Sequence, residues 1–382
     1  MIDYKRKLEL SEEASKRSIF LFGPRQTGKT YLLKKLFPGS LYYNFLRPEV
    51  FFRLSRNPGI LSEEIRANQL QEPVIIDEVQ KLPYILDEVH DLIESHQIRF
   101  ILTGSSARKL KRGGANLLGG RARTRYLHSL VSAEIPDFNL IKALNYGTIP
   151  SVYLSDEPRE DLIAYCGSYL KEEIYSESLV RRIDNFSRFL TTAALTNAEL
   201  LNYHSVARDA EVAVKTVREY YEILQDTLIG TLVEPYKKTT TRKAISMGKF
   251  YFFDIGVSNI LAQRSGIEPG NELFGKSFEH FIFCELNTYL HYSHDQRPLT
   301  FWRDQAKNEV DFIIGDELGI EVKGTTLVQE KHLKGLNLFT KEIPLKHKMI
   351  VSLDQSPRKI GDVLILPWRE FVNRLWAGEW SK

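Results

Sequence analysis

The chain has little cysteine and no long apolar run, and each shortage excludes a class of protein. Cys166 and Cys284 are the only cysteines among 382 residues, too few for a disulfide framework or a structural zinc site. No apolar stretch approaches the roughly 20 residues of a membrane-spanning helix, and the first residues lack the apolar core of a signal peptide. We therefore expect a cytoplasmic protein without membrane contact.

The net charge of the chain is also small. The formal net charge is only +3, with 26% charged and 43% hydrophobic residues. This composition is typical of a globular protein, and so small a basic excess does not by itself indicate nucleic acid. The length exceeds one ordinary core, so we expect two or three domains, with binding surfaces formed by local clusters of charge.

The strongest motif follows a short apolar run at residues 18–22 and precedes leucines at helical spacing. Its spacing, G-x-x-x-x-G-K-[ST], is that of a phosphate-binding loop, and a strand before it with a helix after it is the context that such a loop requires. Backbone N–H groups would surround a phosphate, the lysine would reach the β- and γ-phosphates, and the threonine hydroxyl would bind Mg²⁺. A glycine turn beside a surface lysine is the disfavoured alternative. The predicted ATP contacts are Gly23, Pro24, Arg25, Gln26, Thr27, Gly28, Lys29 and Thr30.

Two further strand-like segments end in polar residues. Residues 73–80, PVIIDEVQ, end in Asp77 and Glu78, which we expect to hold Mg²⁺ and to orient the attacking water, respectively. Residues 99–106, RFILTGSS, place Thr103 and Ser105 at the end of the next strand, either near the γ-phosphate or as a helix cap. Because strands and helices alternate here, the sequence predicts a doubly wound parallel α/β domain.

Residues 105–125 contain seven basic and no acidic side chains. This segment could supply an arginine to the γ-phosphate of a neighbouring subunit, hold a nucleic-acid backbone, or form a solvated loop. The seven residues are Arg108, Lys109, Lys111, Arg112, Arg121, Arg123 and Arg125.

The motifs GPRQTGKT, IIDEVQKLP, FILTGSSARKL and GGRARTRYLHSL together resemble the ATPase half of a prokaryotic family of AAA-type ATPases. In that family the C-terminal domain is similar to PD-(D/E)xK nucleases. The resemblance implies a Walker A loop at residues 23–30, a Walker B pair at Asp77 and Glu78, and a sensor at Thr103 and Ser105. It also implies that Arg121, with Arg123 as the other candidate, serves a γ-phosphate in cis or, within a homo-oligomer, in trans. YYNFLRPE departs from the family pattern because it lacks the acidic residue that often follows the second strand.

The middle of the chain carries less chemistry. Residues 146–190 resemble the helical lid or connector of such ATPases, and residues 191–265 have the pattern of a winged helix-turn-helix. The outer face of its third helix carries Glu219 and Glu222 beside Arg218, which favours a structural role over base reading. Residues 236–250 have no acidic side chain and suit contact with DNA phosphates. Their basic residues are Lys237, Lys238, Arg242, Lys243 and Lys249.

Residues 266–382 contain a set of charged residues that suits phosphodiester hydrolysis. Glu279 falls on the apolar face of a predicted helix, and a buried carboxylate requires a metal, a cation or a proton. The segments EVDFII and IEVKG, joined by a short turn, predict a hairpin with Asp311 opposite Glu321 and with Lys323 on the same face. Glu279, Asp311 and Glu321 would bind Mg²⁺, and Lys323 would orient water or stabilise charge.

The pattern E…D…ExK resembles the PD-(D/E)xK nuclease core. Two alternatives remain open: an ATP-dependent switch that binds nucleic acid or a protein partner and uses this domain as a catalytically silent platform, and surface charges on an amphipathic hairpin. We therefore predict an α/β protein with four parts. These are a P-loop ATPase core (1–145), a helical lid (146–190), a winged helix-turn-helix (191–265) and a small α/β nuclease-like domain (266–382).

Overall fold

The structure is a computed structural model that describes residues 4–68, 70–105, 110, 118–169, 183–239 and 245–381. It consists of two compact units. The amino-terminal unit comprises residues 5–129 and 226–229, and the carboxy-terminal unit comprises the other described residues. None of the helices in the described part of the chain is long and apolar enough to cross a bilayer.

The amino-terminal unit is built on a parallel sheet, as the alternation of strands and helices predicts. Its described residues form five strands in the order β2-β3-β4-β1-β5, and every neighbouring pair is parallel. The central strands are buried along their whole length because helices cover both faces of such a sheet. The strands are β1 (Ser18–Phe22), β2 (Tyr42–Asn44), β3 (Val74–Asp77), β4 (Phe100–Gly104) and β5 (Ala122–Tyr126).

Helices of this unit pack their apolar stripes against the sheet. On one helix, an apolar stripe of Ile85, Leu86, Val89 and Leu92 is buried in the core with Phe100 and Leu102. The described helices are α1 (Ser11–Ala14), α2 (Lys29–Leu36), α3 (Pro48–Arg56), α4 (Ile60–Arg66) and α5 (Ile85–His96).

A mixed sheet organises the carboxy-terminal unit. Its eight described strands lie in the order β12-β13-β11-β10-β9-β8-β6-β7, with both parallel and antiparallel pairs. They are β6 (Gly230–Pro235), β7 (Lys249–Phe252), β8 (Leu299–Arg303), β9 (Glu309–Ile314), β10 (Leu318–Lys323), β11 (His347–Ser352), β12 (Arg358–Ile360) and β13 (Val363–Pro367).

The longest described helix of this unit, α13, packs along β10 and fills the core with phenylalanine side chains. The described helices are α6 (Leu140–Tyr146), α7 (Pro150–Tyr153), α8 (Pro158–Ala164), α9 (Ile183–Leu195), α10 (Tyr203–Asp209), α11 (Val214–Asp226), α12 (Ile255–Leu261), α13 (Glu272–Tyr292), α14 (Lys334–Phe339) and α15 (Trp368–Trp376).

The region with the winged-helix pattern contains three helices, α9 to α11, followed by the antiparallel pair β6 and β7. The first of these helices begins at Ile183, before the predicted start of the region at residue 191, and the winged-helix assignment itself stays a prediction. The structure also differs from the four-part division elsewhere. Residues 130–145, predicted as part of the ATPase core, belong to the carboxy-terminal unit. Strand β6 also pairs with β8, through Glu234 and Thr300, so the hairpin extends the sheet of the last predicted domain. A sequence pattern does not show which strand edges join, because that pairing depends on residues far apart in the chain.

Candidate functional site

The loop between β1 and α2 has the backbone geometry that a phosphate cradle needs. A Cβ atom at position 23 would lie 2.2 Å from the carbonyl oxygen of Leu127, so only glycine fits there. Gly28 has φ +93° and directly precedes α2, a conformation that favours glycine. The Thr27 hydroxyl donates to the carbonyl oxygen of Pro24 (2.8 Å) and closes the loop on itself. The backbone N–H groups at the start of α2 therefore face an anion site.

Two side chains of α2 point back to this loop. The Lys29 ammonium is 6% exposed and donates to the carbonyl oxygens of Gly23 (2.6 Å) and Pro24 (3.0 Å). The Thr30 hydroxyl donates to Asp77 Oδ2 at 2.8 Å. Thr103 donates to the other carboxylate oxygen of Asp77. Three predicted residues from separate elements thus meet in one hydrogen-bonded group of oxygen atoms, the ligand type that Mg²⁺ prefers.

Glu78 lies beside this group with different partners. Its backbone is left-handed (φ 62°), which is uncommon for a residue other than glycine and ends β3 abruptly. Its carboxylate accepts from Gln80 Nε2 at 2.6 Å, and the same amide nitrogen lies 3.3 Å from the Ser105 hydroxyl. Burial raises the pKa of Glu78, with a further increase from Asp77, although Lys29 and Arg25 oppose the shift. A buried carboxyl with a raised pKa is suited to accept a proton.

The four residues of the predicted nuclease set line one cavity of about 790 Å³ in the carboxy-terminal unit. Its inner wall is formed by Glu279 on α13, Asp311 on β9, and Glu321 and Lys323 on β10. The outer wall carries five further cations, called the basic rim below. The basic rim consists of Lys276, Arg303, Lys307, Lys331 and Lys334.

The predicted hairpin of β9 and β10 is present in the expected register. Ile320 pairs with Phe312 in the antiparallel ladder, so Asp311 and Glu321 follow as the next opposed pair. Asp311 Oδ2 accepts from the backbone N–H of Val322 at 2.7 Å, and Lys323 Nζ lies 2.5 Å from Glu321 Oε1. Glu321 Oε2 is buried and has no hydrogen-bond partner among the residues that the structure describes. Burial and the neighbouring Asp311 carboxylate raise the pKa of Glu321.

Glu279 is held by a residue that the sequence analysis placed elsewhere. Its Oε1 accepts from Lys249 Nζ (2.8 Å) and from the Tyr251 hydroxyl (2.6 Å). Lys249 also forms an ion pair with Glu309. The prediction that Lys249 contacts DNA phosphates from an exposed wing is therefore wrong: its side chain is only 4% exposed. Strand β7 runs into the sheet at this point and turns the lysine inward.

The three predicted metal ligands of this cavity do not form one metal-binding group. Among the described residues, no cluster of three or more His, Cys, Asp or Glu side chains is arranged to hold a metal ion. Glu279 is engaged by Lys249 and Tyr251, whereas Asp311 and Glu321 stand together. The sequence pattern did not reveal this because the position of Lys249 depends on the pairing of β6 and β7.

Comparison with known proteins divides the chain into three segments. Residues 15–135 match the family model described as AAA domain. The other two segments match models described as domains of unknown function: residues 137–268 (DUF8612) and residues 274–371 (DUF4143). The match to the AAA domain model includes the phosphate-binding loop and Asp77 with its hydrogen-bond partners. Residues 15–135, called the ATPase domain below, are thus similar to AAA domains and contain a phosphate-binding loop.

Relatives of known sequence or structure add little to this assignment. Uncharacterized proteins Rv2008c of Mycobacterium tuberculosis and Mb2031c of Mycobacterium bovis are each 24% identical over 330 residues, covering 81% of this chain and 70% of theirs. The Aeropyrum pernix ORC1 protein in complex with DNA aligns over 69% of this chain and 93% of its own, at 12% identity and a TM-score of 0.27. The STAND protein with a tetratricopeptide repeat sensor, PH0952 of Pyrococcus horikoshii, aligns over 76% and 47%, at 15% identity and 0.23. Likeness at these scores says nothing more about the fold.

The candidate finger arginines of the ATPase domain lie away from its own loop. Ala122 and Arg123 pair with Ser18 and Ile19 at the start of β1, whereas the phosphate-binding loop follows the end of that strand. Arg121 forms an ion pair with Glu94, and Arg123 Nη1 lies 2.8 Å from Glu13. In a parallel sheet these positions lie at opposite ends of the strands, so neither arginine faces the loop of the same chain.

The ATPase domain also contains contacts that the sequence analysis missed. Arg6 donates to the carbonyl oxygens of Thr27 (2.8 Å) and His128 (2.7 Å), and thereby ties the loop to the chain after β5. The Tyr42 hydroxyl donates to Asp77, and burial raises the pKa of Tyr42. The contact of Tyr42 could have been anticipated from the YYN segment, because this segment forms β2, which pairs with β3 next to Asp77. No local pattern marks Arg6.

Several predicted basic residues fall on parts of the chain outside the described residues. Among them are Arg108, Lys109, Lys111 and Arg112 of the segment after β4, and Arg242 and Lys243 of the predicted wing. Lys237 and Lys238 are described, and they form exposed ion pairs with Glu234 and Asp316.

Proposed function

We propose that the protein binds and hydrolyses ATP and uses the nucleotide state to control a carboxy-terminal unit that acts on DNA. One observation carries the ATPase part of the proposal. The hydroxyl of Thr30 and the carboxylate of Asp77 lie 2.8 Å apart beside a loop with the geometry of a phosphate cradle. Such a pair of oxygen ligands next to backbone amides matches the phosphate and metal contacts of P-loop hydrolases.

The chain's own residues then have distinct roles. The loop amides and Lys29 bind and orient the phosphates, and Thr30 and Asp77 are the residues that would hold Mg²⁺. When bound, Mg²⁺ neutralises charge on the β- and γ-phosphate oxygens. Glu78 orients the attacking water and accepts its proton, and Gln80 fixes the Glu78 carboxylate. The remote position of Arg121 and Arg123 supports supply of an arginine by a neighbouring subunit in a homo-oligomer.

Calorimetric titration with ATP and Mg²⁺ tests the ATPase part. We expect Lys29→Ala to weaken ATP binding at least 100-fold, because a buried cation at the phosphates is lost. Lys35→Ala, an exposed lysine on the same helix, serves as the matched control and should bind like the wild type. Equal affinity in all three proteins would exclude the proposed site.

For the carboxy-terminal unit we propose metal-dependent hydrolysis of a DNA phosphodiester. Asp311 and Glu321 would hold Mg²⁺: the two buried carboxylates directly adjoin the paired residues Phe312 and Ile320, and no described residue donates a hydrogen bond to Glu321 Oε2. Lys323, the nearest ammonium, would orient water and stabilise charge on the phosphate, and the basic rim would bind the DNA backbone without reading its sequence. When bound, the metal polarises the phosphate and lowers the pKa of its water ligand.

A second function of a different class is favoured by one observation. The Glu279 carboxylate is neutralised by Lys249, and Glu321 is paired with Lys323, so the cavity already contains cations of its own. A site of this kind could bind nucleic acid without cleaving it. In that case the protein would be an ATP-dependent switch with a catalytically silent platform.

Incubation with supercoiled plasmid and Mg²⁺ or Mn²⁺, with and without ATP, separates the two functions. Nicking that is lost in Lys323→Ala and kept in Lys359→Ala, an exposed lysine on the edge strand β12 of the same sheet, would establish the nuclease. ATP-dependent plasmid binding without cleavage would instead favour the switch. Nicking of equal specific activity in Lys323→Ala would rule out this cavity as its source.

A further inference from the structure

Lys249 is the most completely buried cation of the cavity, and no sequence motif assigns it a role. The residue is 3% exposed and lies at the start of β7, opposite Val233 of β6. Its ammonium group lies 2.8 Å from Glu279 Oε1, contacts Glu309, and sits 5.3 Å from the centre of the Phe301 ring. Burial by itself would lower the Lys249 pKa, but the surrounding carboxylates raise it well above the ordinary value.

The charges around the cavity are unevenly matched. Its inner part contains four carboxylates, on Glu279, Glu309, Asp311 and Glu321. Lys249 contacts the first two, and Arg303 lies 3.1 Å from the second oxygen of Glu309. By contrast, Asp311 and Glu321 both lie beside one ammonium, that of Lys323, at 3.9 and 2.5 Å, and this is the ion pair that they form among the described residues. The unbalanced negative charge is therefore concentrated on Asp311 and Glu321.

Transfer of a charged group from water into the protein interior costs free energy unless an opposite charge takes the place of the water. Lys249 supplies this charge for Glu279 and Glu309 permanently, because it is covalently part of the sheet. A divalent cation at the same oxygens would have to displace a hydrogen-bonded ammonium group and also leave that ammonium buried. Asp311 and Glu321 differ because their ammonium, on Lys323, belongs to a side chain that is 32% exposed, so Lys323 can move towards solvent without remaining buried and unpaired.

We propose that Lys249 is a built-in counter-ion that fills the place of a second metal ion, so that the cavity takes one divalent cation, at Asp311 and Glu321. The inference deepens the proposed phosphodiester function, on which it rests for the identity of the site. Glu279 then acts as a positioning residue for Lys249 and is not a metal ligand. Lys249 and Lys323 both line the cavity, so each would contribute positive charge to a bound phosphodiester.

Mn²⁺ titration of the full-length chain without nucleotide tests this inference, with calorimetry and the electron paramagnetic resonance of free Mn²⁺ as readouts. All proteins carry Asp77→Asn, which removes the carboxylate beside the phosphate-binding loop. We expect the Lys249→Met protein to bind one Mn²⁺ more per chain than the Lys249 parent, because Glu279 and Glu309 lose their cation. The same number of ions in both folded proteins would overturn the proposal.

A double variant keeps the test decisive if Lys249→Met alone fails to fold. Lys249→Met with Glu279→Gln removes both partners of the buried pair, a change that is often nearly neutral for stability. We expect it to bind Mn²⁺ with the stoichiometry of the parent and within about threefold of its affinity. A tenfold loss of affinity would show that Glu279 is itself a ligand and would refute the inference.

The outcome for the parent protein separates this inference from the nuclease proposal. If the parent binds no Mn²⁺ in this cavity, the metal-dependent nuclease fails. The single cation inferred at Asp311 and Glu321 would fail with it. A gain of one ion in Lys249→Met would still establish Lys249 as the built-in cation, and the absence of any gain would reject that role.

Discussion

The hydroxyl of Thr30 lies 2.8 Å from the carboxylate of Asp77, although 47 positions separate the two residues in the chain. The contact exists because β1 and β3 both lie next to β4 in one parallel sheet, so their carboxyl ends share an edge. The order of the strands in the sheet therefore brings the phosphate-binding loop and Asp77 together in one site.

We expect Glu78→Gln to keep ATP binding and to slow hydrolysis by a factor of about 100 or more, because proton acceptance from water is lost. Burial raises the pKa of Glu78. The wild-type rate should therefore begin to fall, as the pH is lowered, at a pH higher than the pKa of an ordinary glutamate. The hydrogen bond from Gln80 lowers the pKa of Glu78, so Gln80→Ala should shift the acid limb to higher pH. Rate profiles at saturating ATP measure both effects. An acid limb that Gln80→Ala leaves unmoved would contradict the assignment of Glu78.

Arg6 anchors the phosphate-binding loop through two carbonyl oxygens, at Thr27 and His128. We expect Arg6→Ala to weaken ATP binding about tenfold, because two charge-assisted hydrogen bonds that hold the loop are lost. Arg6→Lys should recover little, since an ammonium group cannot reproduce the two-pronged contact. Arg17→Ala, an exposed change in the same unit, is the control. ATP titrations of Arg6→Ala that match this control would show that the anchor is dispensable.

Arg121 lies at the sheet edge away from its own loop. If it serves a neighbouring subunit, Arg121→Ala should bind ATP normally and hydrolyse it slowly. Mixing it with Lys29→Ala should then restore part of the activity, because one subunit supplies the loop and the other the arginine. Steady-state rates across mixing ratios measure this recovery. A mixture no faster than its separate components would exclude Arg121 as an arginine shared between subunits.

Glu285 on α13 is 1% exposed and accepts hydrogen bonds from Ser132 N (2.7 Å) and Trp376 Nε1 (2.6 Å). Burial raises its pKa to about 7. Because the folded pKa exceeds the unfolded value of about 4.3, the wild-type unit should lose stability as pH rises through this window. We expect the free energy of unfolding of Glu285→Gln, relative to the wild type, to increase by about 2 to 3 kcal/mol between pH 5 and pH 8.

Urea unfolding followed by tryptophan fluorescence measures this difference. The four tryptophans, at positions 302, 368, 376 and 380, all lie in the carboxy-terminal unit. Glu272→Gln, an exposed change on the same helix, should show no such dependence on pH. A constant difference between Glu285→Gln and the wild type at both pH values would mean that Glu285 titrates normally.

Much of the ATPase domain was predictable because its signals are local. The loop motif, the apolar strand before it and the helical spacing after it occur within 20 residues. The alternation of buried strands with amphipathic helices predicted the parallel sheet that the structure shows. The hairpin of β9 and β10 was equally accessible, since its short turn fixes the register that places Asp311 opposite Glu321.

The least predictable residue was Lys249. In sequence it belongs to a basic stretch that suits contact with DNA, and only its position on β7 shows that it is buried. Glu279 illustrates the same limit. Helical spacing correctly put its carboxylate on an apolar face, but spacing could not reveal which cation accompanies it.

The sequence by itself determined the phosphate-binding loop, the parallel sheet, the hairpin and the identity of the charged side chains, because each depends on neighbours within one or two elements. Only the tertiary structure decided which charges meet: Arg6 with the loop, Tyr42 with Asp77, and Lys249 with Glu279 and Glu309. The physical reason is that strand order and edge pairing are set by burial of the whole sheet, and a buried charge takes its partner from whichever segment the sheet brings beside it.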